Sequence, residues 1–241
     1  MYLSVPNYLL ILKPVIMKKF LLFCSLLSIL SFNVAAQDAS NISYVGHWGT
    51  HGNCSAVATY NNNAVISSGS YISVIDISDP ADPIEIGFLQ LSSPLFGIYI
   101  SDNFAYATAN DSVLIIDLSD ETQPVLIGSC YVPEWGRGLV VSGNFAYIAD
   151  HTAGLRIIDV TNPENPFEVG FYEAIEEANS VAVDNNYAYV TDYDVGFHVL
   201  DVSDPTTPYE LAFYETTEPA IDIKIQNDYA YLANYNDGLK I

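Results

Sequence analysis

Ile75-Asp76-Ile77-Ser78-Asp79-Pro80 is the stretch on which the reading of this chain turns, because it comes back. It returns as Ile116-Asp117-Leu118-Ser119-Asp120, as Ile158-Asp159-Val160-Thr161-Asn162-Pro163, and as Leu200-Asp201-Val202-Ser203-Asp204-Pro205. The aspartates at 76, 117, 159 and 201 are spaced by 41, 42 and 42 residues. A second landmark keeps the same interval: Phe104-Ala105-Tyr106, Phe145-Ala146-Tyr147, Tyr187-Ala188-Tyr189 and Tyr229-Ala230-Tyr231. Two independent markers in register establish a repeat, the mark of an array architecture.

Each repeat reads as four short strands. In the second, Gly97 to Ile100 predicts strand a, Phe104 to Thr108 strand b, Val113 to Leu118 strand c, and strand d starts at Val125. The connections are rich in Asp, Asn, Gly and Pro, which supply the backbone angles that reversals require. Strands b and c are apolar on both faces, as expected of strands buried between neighbouring sheets. Four strands every 41–42 residues is the period of a β-propeller blade. A solenoid would use shorter coils, and a sandwich would not repeat in sequence. The expected fold is an all-β propeller of about five blades, or a fragment of a larger one.

The text around Tyr147 to Gly170, with its Ile157-Ile158-Asp159 core and its Glu168-Val169-Gly170 close, resembles the LVIVD repeat family. A weaker form runs from Tyr189 to Ala212, and the resemblance spans roughly Ser43 to Ile241. Glu121 replaces the turn proline in the second repeat. The resemblance implies a β-propeller on an exported or cell-surface protein. It implies no activity, since the family carries no general catalytic motif.

From Met17 the chain reads as a secretory signal: Lys18 and Lys19, an apolar run from Phe20 to Phe32, then Val34-Ala35-Ala36 before Gln37. The run is shorter than the roughly 20 residues a membrane span needs. Residues 1–36 are thus a leader, with the signal at 17–36 and a natural start at Met17, and residues 37–241 form the repeats. The product is expected to be secreted or displayed at the cell surface, with the periplasm as an alternative. Cys54 and Cys130 then remain, in different repeats and without a disulfide framework.

The 241 residues are half hydrophobic and 13% aromatic, ample for a core. Beyond the leader, only Arg137, Arg156, Lys224 and Lys240 stand against all 29 acids. Such a surface repels phosphate backbones, which excludes nucleic acid as a partner. Cations, neutral glycans and basic proteins stay open.

At the ends, Gly238-Leu239-Lys240-Ile241 aligns with Gly154-Leu155-Arg156-Ile157, so the fifth repeat stops within strand c. Tyr44-Val45-Gly46 aligns with the strand d segment Glu85-Ile86-Gly87. That segment either completes the fifth blade and closes a ring, or the sequence is a fragment with further blades to come.

Strand order places the b–c and d–a loops on one face, which collects the site candidates Trp135, Arg137, Asp150, His151, Asp192, Asp194 and Asp237. Asp192, Asp194 and Asp237 are also weak calcium candidates, since calcium takes six to eight hard oxygens, yet they match no known calcium-loop pattern. The repeated Asp76, Asp117, Asp159 and Asp201 read as buried carboxylates accepting hydrogen bonds from their own downstream turns. His151 and His198 stand alone in sequence. No nucleophile elbow or Gly-rich phosphate loop is present, and no catalytic residue is assigned. The leading expectation is a non-enzymatic scaffold binding protein or glycan. The alternative is an extracellular hydrolase or lyase with its site at the channel mouth, and enzyme status stays open.

Overall fold

The computed structural model describes Val45, His47, Gly49 and residues 51–241. The leader, and Tyr44 and Gly46 of the expected outer strand, lie outside the described residues. The rest forms five antiparallel sheets in chain order. The first holds β1 (Val57–Tyr60), β2 (Asn63–Ser68), β3 (Tyr71–Asp76) and β4 (Ile84–Gln90). The second holds β5 (Gly97–Ser101), β6 (Phe104–Ala109), β7 (Ser112–Asp117) and β8 (Val125–Tyr131). The third holds β9 (Gly138–Ser142), β10 (Phe145–Ala149), β11 (Leu155–Asp159) and β12 (Phe167–Tyr172). The fourth holds β13 (Ala178–Asp184), β14 (Tyr187–Asp192), β15 (Gly196–Asp201) and β16 (Tyr209–Glu215). The fifth has three strands, β17 (Asp222–Gln226), β18 (Tyr229–Asn234) and β19 (Gly238–Lys240).

Each sheet is an up-and-down meander, and its first strand packs against the first strand of the next: β1 on β5, β5 on β9, β9 on β13, β13 on β17. These are propeller-like blades. The only helical turn among the described residues is a short 3-10 segment at Tyr235–Asp237, and no helix there is long and apolar enough to cross a membrane.

Most of the core lies between blades, with one small cluster of Ala64, Ile66 and Ile75 inside the first blade. Val65 and Val74 of the first blade join Ala105, Ala107 and Ile116 of the second. Tyr106 and Ile115 join Ile148 and Ile158 of the third. Leu155 and Ile157 join Val181, Val190 and Leu200 of the fourth. Strand alternation explains the paired isoleucines, because successive side chains point to opposite faces. Ile157 and Ile158 are neighbours in sequence but serve different junctions, and both are fully buried.

The repeated aspartate has a visible task. The Asp76, Asp117, Asp159 and Asp201 Oδ1 atoms each accept the N–H two residues on, at 2.8 Å from Ser78, Ser119, Thr161 and Ser203. A second such bond follows, to Asp79 from Ala81, Asp120 from Thr122, Asn162 from Glu164 and Asp204 from Thr206. The expected role holds, but the expected burial does not. These carboxylates sit at strand ends, partly open to solvent.

The Glu168-Val169-Gly170 close is also explained. Every complete blade has a β-bulge between strands c and d, for example between Ile157 and Ile158 opposite Glu168 and Gly170. The glycine after the bulge receives the next blade's turn. A Cβ at Gly87, Gly128 or Gly170 would stand 2.2, 2.0 or 2.1 Å from the carbonyl oxygen of Glu121, Pro163 or Pro205. The fourth blade carries Ala212 at this position, exposed on β16.

Candidate functional site

The d–a loop before β9 reads Pro133-Glu134-Trp135-Gly136-Arg137, and three contacts pin it. Glu134 N–H donates to Asp150 Oδ2 at 3.1 Å, and Arg137 N–H donates to the Ala149 carbonyl at 2.9 Å. Gly136 lies so close to Thr108 and Ile148 that a Cβ would come within 2.9 Å of Thr108 Cγ2. With its neighbours held down, Trp135 is turned outward and is 58% exposed.

His151, in the b–c loop, adopts φ 45°, a conformation uncommon for a non-glycine residue and worth notice at a site. Its carbonyl accepts from Gly154 N–H at 3.2 Å and from Ala178 N–H at 3.0 Å, so one bond closes the loop and the other ties it to the fourth blade. The imidazole is then placed 6.1 Å from the Trp135 ring and 3.4 Å, Nε2 to Oε1, from Glu177. The same Glu177 oxygen lies 3.3 Å from Arg137 Nη2, while Arg137 Nη1 donates to Asn179 Oδ1 at 2.9 Å. Asn179 passes the chain on by donating Nδ2–H to the Ile221 carbonyl. Trp135, Arg137, His151, Glu177 and Asn179 therefore form one half-open cluster at the junction of the third and fourth blades.

This cluster breaks the repeat. From the first blade on, the Trp135 position is Asn53, Pro94, Glu177 and Pro219 in the other blades, the Arg137 position is Ser55, Phe96, Asn179 and Ile221, and the His151 position is Gly69, Asn110, Tyr193 and Tyr235. Chemically, it offers an open aromatic face beside a guanidinium, a carboxylate, an imidazole and an amide held by one another.

The other candidates fall elsewhere. Asp150 follows β10 and is fully buried. Burial pushes its pKa up to about 6, against the opposing pull of the Glu134 N–H and the Arg156 guanidinium. Its Oδ1 and the Arg156 Nε lack hydrogen-bond partners. Asp192 occupies the same place one blade on, with Oδ2 accepting from Glu176 N–H at 3.1 Å. Burial raises its pKa, but the nearby His198 imidazole and the bond from the Glu176 N–H win, leaving it below the ordinary value. Neither acid lies at a loop tip. Both brace a d–a loop from below. Asp194 is exposed in its loop, and Asp237 Oδ2 is taken by Lys240 at 3.0 Å and Thr217 at 2.8 Å. Among the described residues, no three His, Cys, Asp or Glu side chains converge as a metal would require.

His198 is not alone, contrary to its place in the sequence. Its Nδ1 donates to Glu210 Oε2 at 2.7 Å, and Nε2 lies 3.6 Å from Asp192 Oδ2, a Coulombic contact longer than a hydrogen bond. The signal was positional: a base stands six residues after the buried strand-b residue in Asp150/Arg156, Asp192/His198 and Asn234/Lys240. Also unforeseen is a groove of about 520 Å³ where Glu85 and Phe88 of β4 meet Thr122, Gln123 and Val125 of the second blade. Cys130 is a free thiol and forms no bridge with Cys54.

Comparison with known proteins agrees with this architecture. No curated protein matches the chain significantly. A crystal structure of the computationally designed Ika8 protein is similar in fold, with a TM-score of 0.66 at 14% identity over 80% of this chain. This chain spans 58% of the length of that protein. The LVIVD repeat model matches five times, at residues 51–90, 97–132, 136–174, 176–216 and 219–241. Those five matches fall blade by blade on the five sheets, and the chain belongs to the LVIVD repeat family.

Proposed function

We propose that this chain is an exported scaffold, secreted or held at the cell surface, that binds a protein or glycan without transforming it. The binding face is the one formed by the b–c and d–a loops. One observation carries the reading: the side chains that depart from the repeat on that face converge at the junction of the third and fourth blades, around Trp135 and Arg137. The opposite face carries the repeated Asp turns, whose polar groups are occupied in closing the turns themselves. Export rests on the leader, with its Lys pair, apolar run and Val34-Ala35-Ala36.

A photo-crosslinking side chain at position 135, compared with one at Ser78 on the opposite face, tests the assignment of the face. Adducts with envelope or extracellular material are expected from position 135 alone. Equal labelling from both positions rejects it. Export is tested by sequencing the N-terminus of material recovered outside the cytoplasm, which should begin at Gln37.

The second reading, an extracellular hydrolase or lyase, draws on the His151–Glu177 pair beside Arg137. Turnover of a glycoside or ester substrate that Glu177→Gln abolishes would favour it over the scaffold.

A further inference from the structure

We infer that the cluster at the junction of the third and fourth blades is a subsite for a neutral saccharide, with the Trp135 indole as the platform for one sugar ring. The inference rests on the binding face proposed above and names what that face takes.

Three observations point to sugar rather than to another partner. The first is the indole, 58% exposed while the residues before and after it are fixed to Asp150, Ala149 and Thr108. A large flat apolar face held in the open suits a ligand that is apolar on one side and wet on the other. The second is the state of the polar groups. Glu177 is held between Arg137 and His151, and Arg137 is also held by Asn179, so donors and acceptors stand at set spacings. Preorganised groups lose little freedom when they meet vicinal hydroxyls, which both donate and accept.

The third is charge and size. The Arg137 guanidinium and the Glu177 carboxylate offset each other, so the cluster has no surplus charge with which to hold an ion. The chain around it carries 29 acids, which disfavours a polyanionic polymer. The cluster comprises five side chains, against the roughly 20 to 30 residues a side of a stable protein interface.

The test uses residues 37–241 and the variants Trp135→Ala, Trp135→Phe and Asn179→Ala. The probes are immobilised neutral oligosaccharides of glucose, galactose, mannose and N-acetylglucosamine, with polygalacturonate as the acidic counterpart. Tryptophan emission is followed in solution with the same neutral sugars. At least one neutral series should bind and shift the emission. Trp135→Ala should lose binding at least about tenfold, and Trp135→Phe should stay within a few-fold. Asn179→Ala should weaken binding while the melting temperature stays close to that of the wild type. Neutral sugars that never bind, or that bind Trp135→Ala as well as wild type, overturn the inference. If a protein probe is captured through position 135 while no sugar binds, the saccharide inference fails and the proposed face survives. If capture from every source is indifferent to all three variants, the face fails as well.

Discussion

His198 Nδ1 lies 2.7 Å from Glu210 Oε2, joining β15 to the outer strand of the same blade through an ion pair between a nearly buried imidazole and an exposed carboxylate. Burial alone would lower the His198 pKa, but the nearby Asp192 carboxylate and the bond and charge of Glu210 outweigh that and raise it. A raised histidine contributes stability that is complete below its ordinary value of about 6.5 and is lost as pH climbs through the raised one. Asp192, held low, contributes stability above the ordinary aspartate range that is lost in acid. The wild type should therefore lose melting temperature from neutral to mildly alkaline pH more steeply than His198→Gln. Thermal melts across that range check this, and parallel profiles refute it.

Asp150 has the opposite sign. Its pKa of about 6 lies above the ordinary 3.8, so the folded chain holds that proton more tightly than the unfolded one. Stability is then lost as pH rises between about 4 and 6, by an amount on the order of 3 kcal/mol. Asp150→Asn keeps an acceptor for the Glu134 N–H and removes the titration. Its melting temperature should vary less than the wild type's across that window and exceed it near neutral pH. A uniform deficit at every pH would count against this account.

Gly128→Ala should destabilise by about 1–3 kcal/mol, because the new methyl meets the Pro163 backbone carbonyl, which cannot step aside as a flexible side chain would. The reverse change at the fourth blade, Ala212→Gly, creates no such clash and should stay within about 1 kcal/mol of wild type. Chemical denaturation of both variants decides the matter, with equal effects at the two positions as the failing result.

Asp159→Ala should cost about 1 kcal/mol, since it removes an acceptor for the Thr161 N–H in a partly solvated turn. Asp159→Asn keeps that bond and should recover most of the loss. Sugar or protein binding at the junction of the third and fourth blades should not change. A selective loss of binding with unchanged melting would move Asp159 from architecture to function.

Calcium at about 1 mM should leave the melting temperature unmoved, because ligand binding shifts stability only where a site exists in the folded state. Asp192 Oδ2 already faces His198 and the Glu176 N–H, and Asp237 Oδ2 already faces Lys240 and Thr217. A clear rise in melting temperature with calcium would establish those loops as a cation site.

Blade boundaries were readable because the repeat is written twice, in the Asp turns and in the aromatic-Ala-Tyr strands, and both fall where the sheets place them. The b–c and d–a loops could be assigned to a face from strand order alone. That was enough to put Trp135, Arg137 and His151 on one face. It was not enough to separate them from Asp150 and Asp192, which are equally polar and equally close to a loop. The difference is depth: each of those acids ends a buried strand and reaches under the neighbouring loop, and a sequence window carries no depth. Pairings across a blade boundary, such as His151 with Glu177, were hidden for the same reason. Their partners are distant in sequence and belong to different repeats.

Four of the five buried clusters straddle adjacent sheets, and only Ala64, Ile66 and Ile75 of the first blade form one inside a single repeat, so a repeat holds little core of its own. A blade cut out alone would expose both flanks of its middle strands, so the smallest piece able to hold a dry interior is a neighbouring pair. Slow amide exchange should group accordingly. The partition follows the seams rather than the repeats, and the backbones at Ile157 and Ile158 would register the opening of different seams, although they are consecutive in the chain.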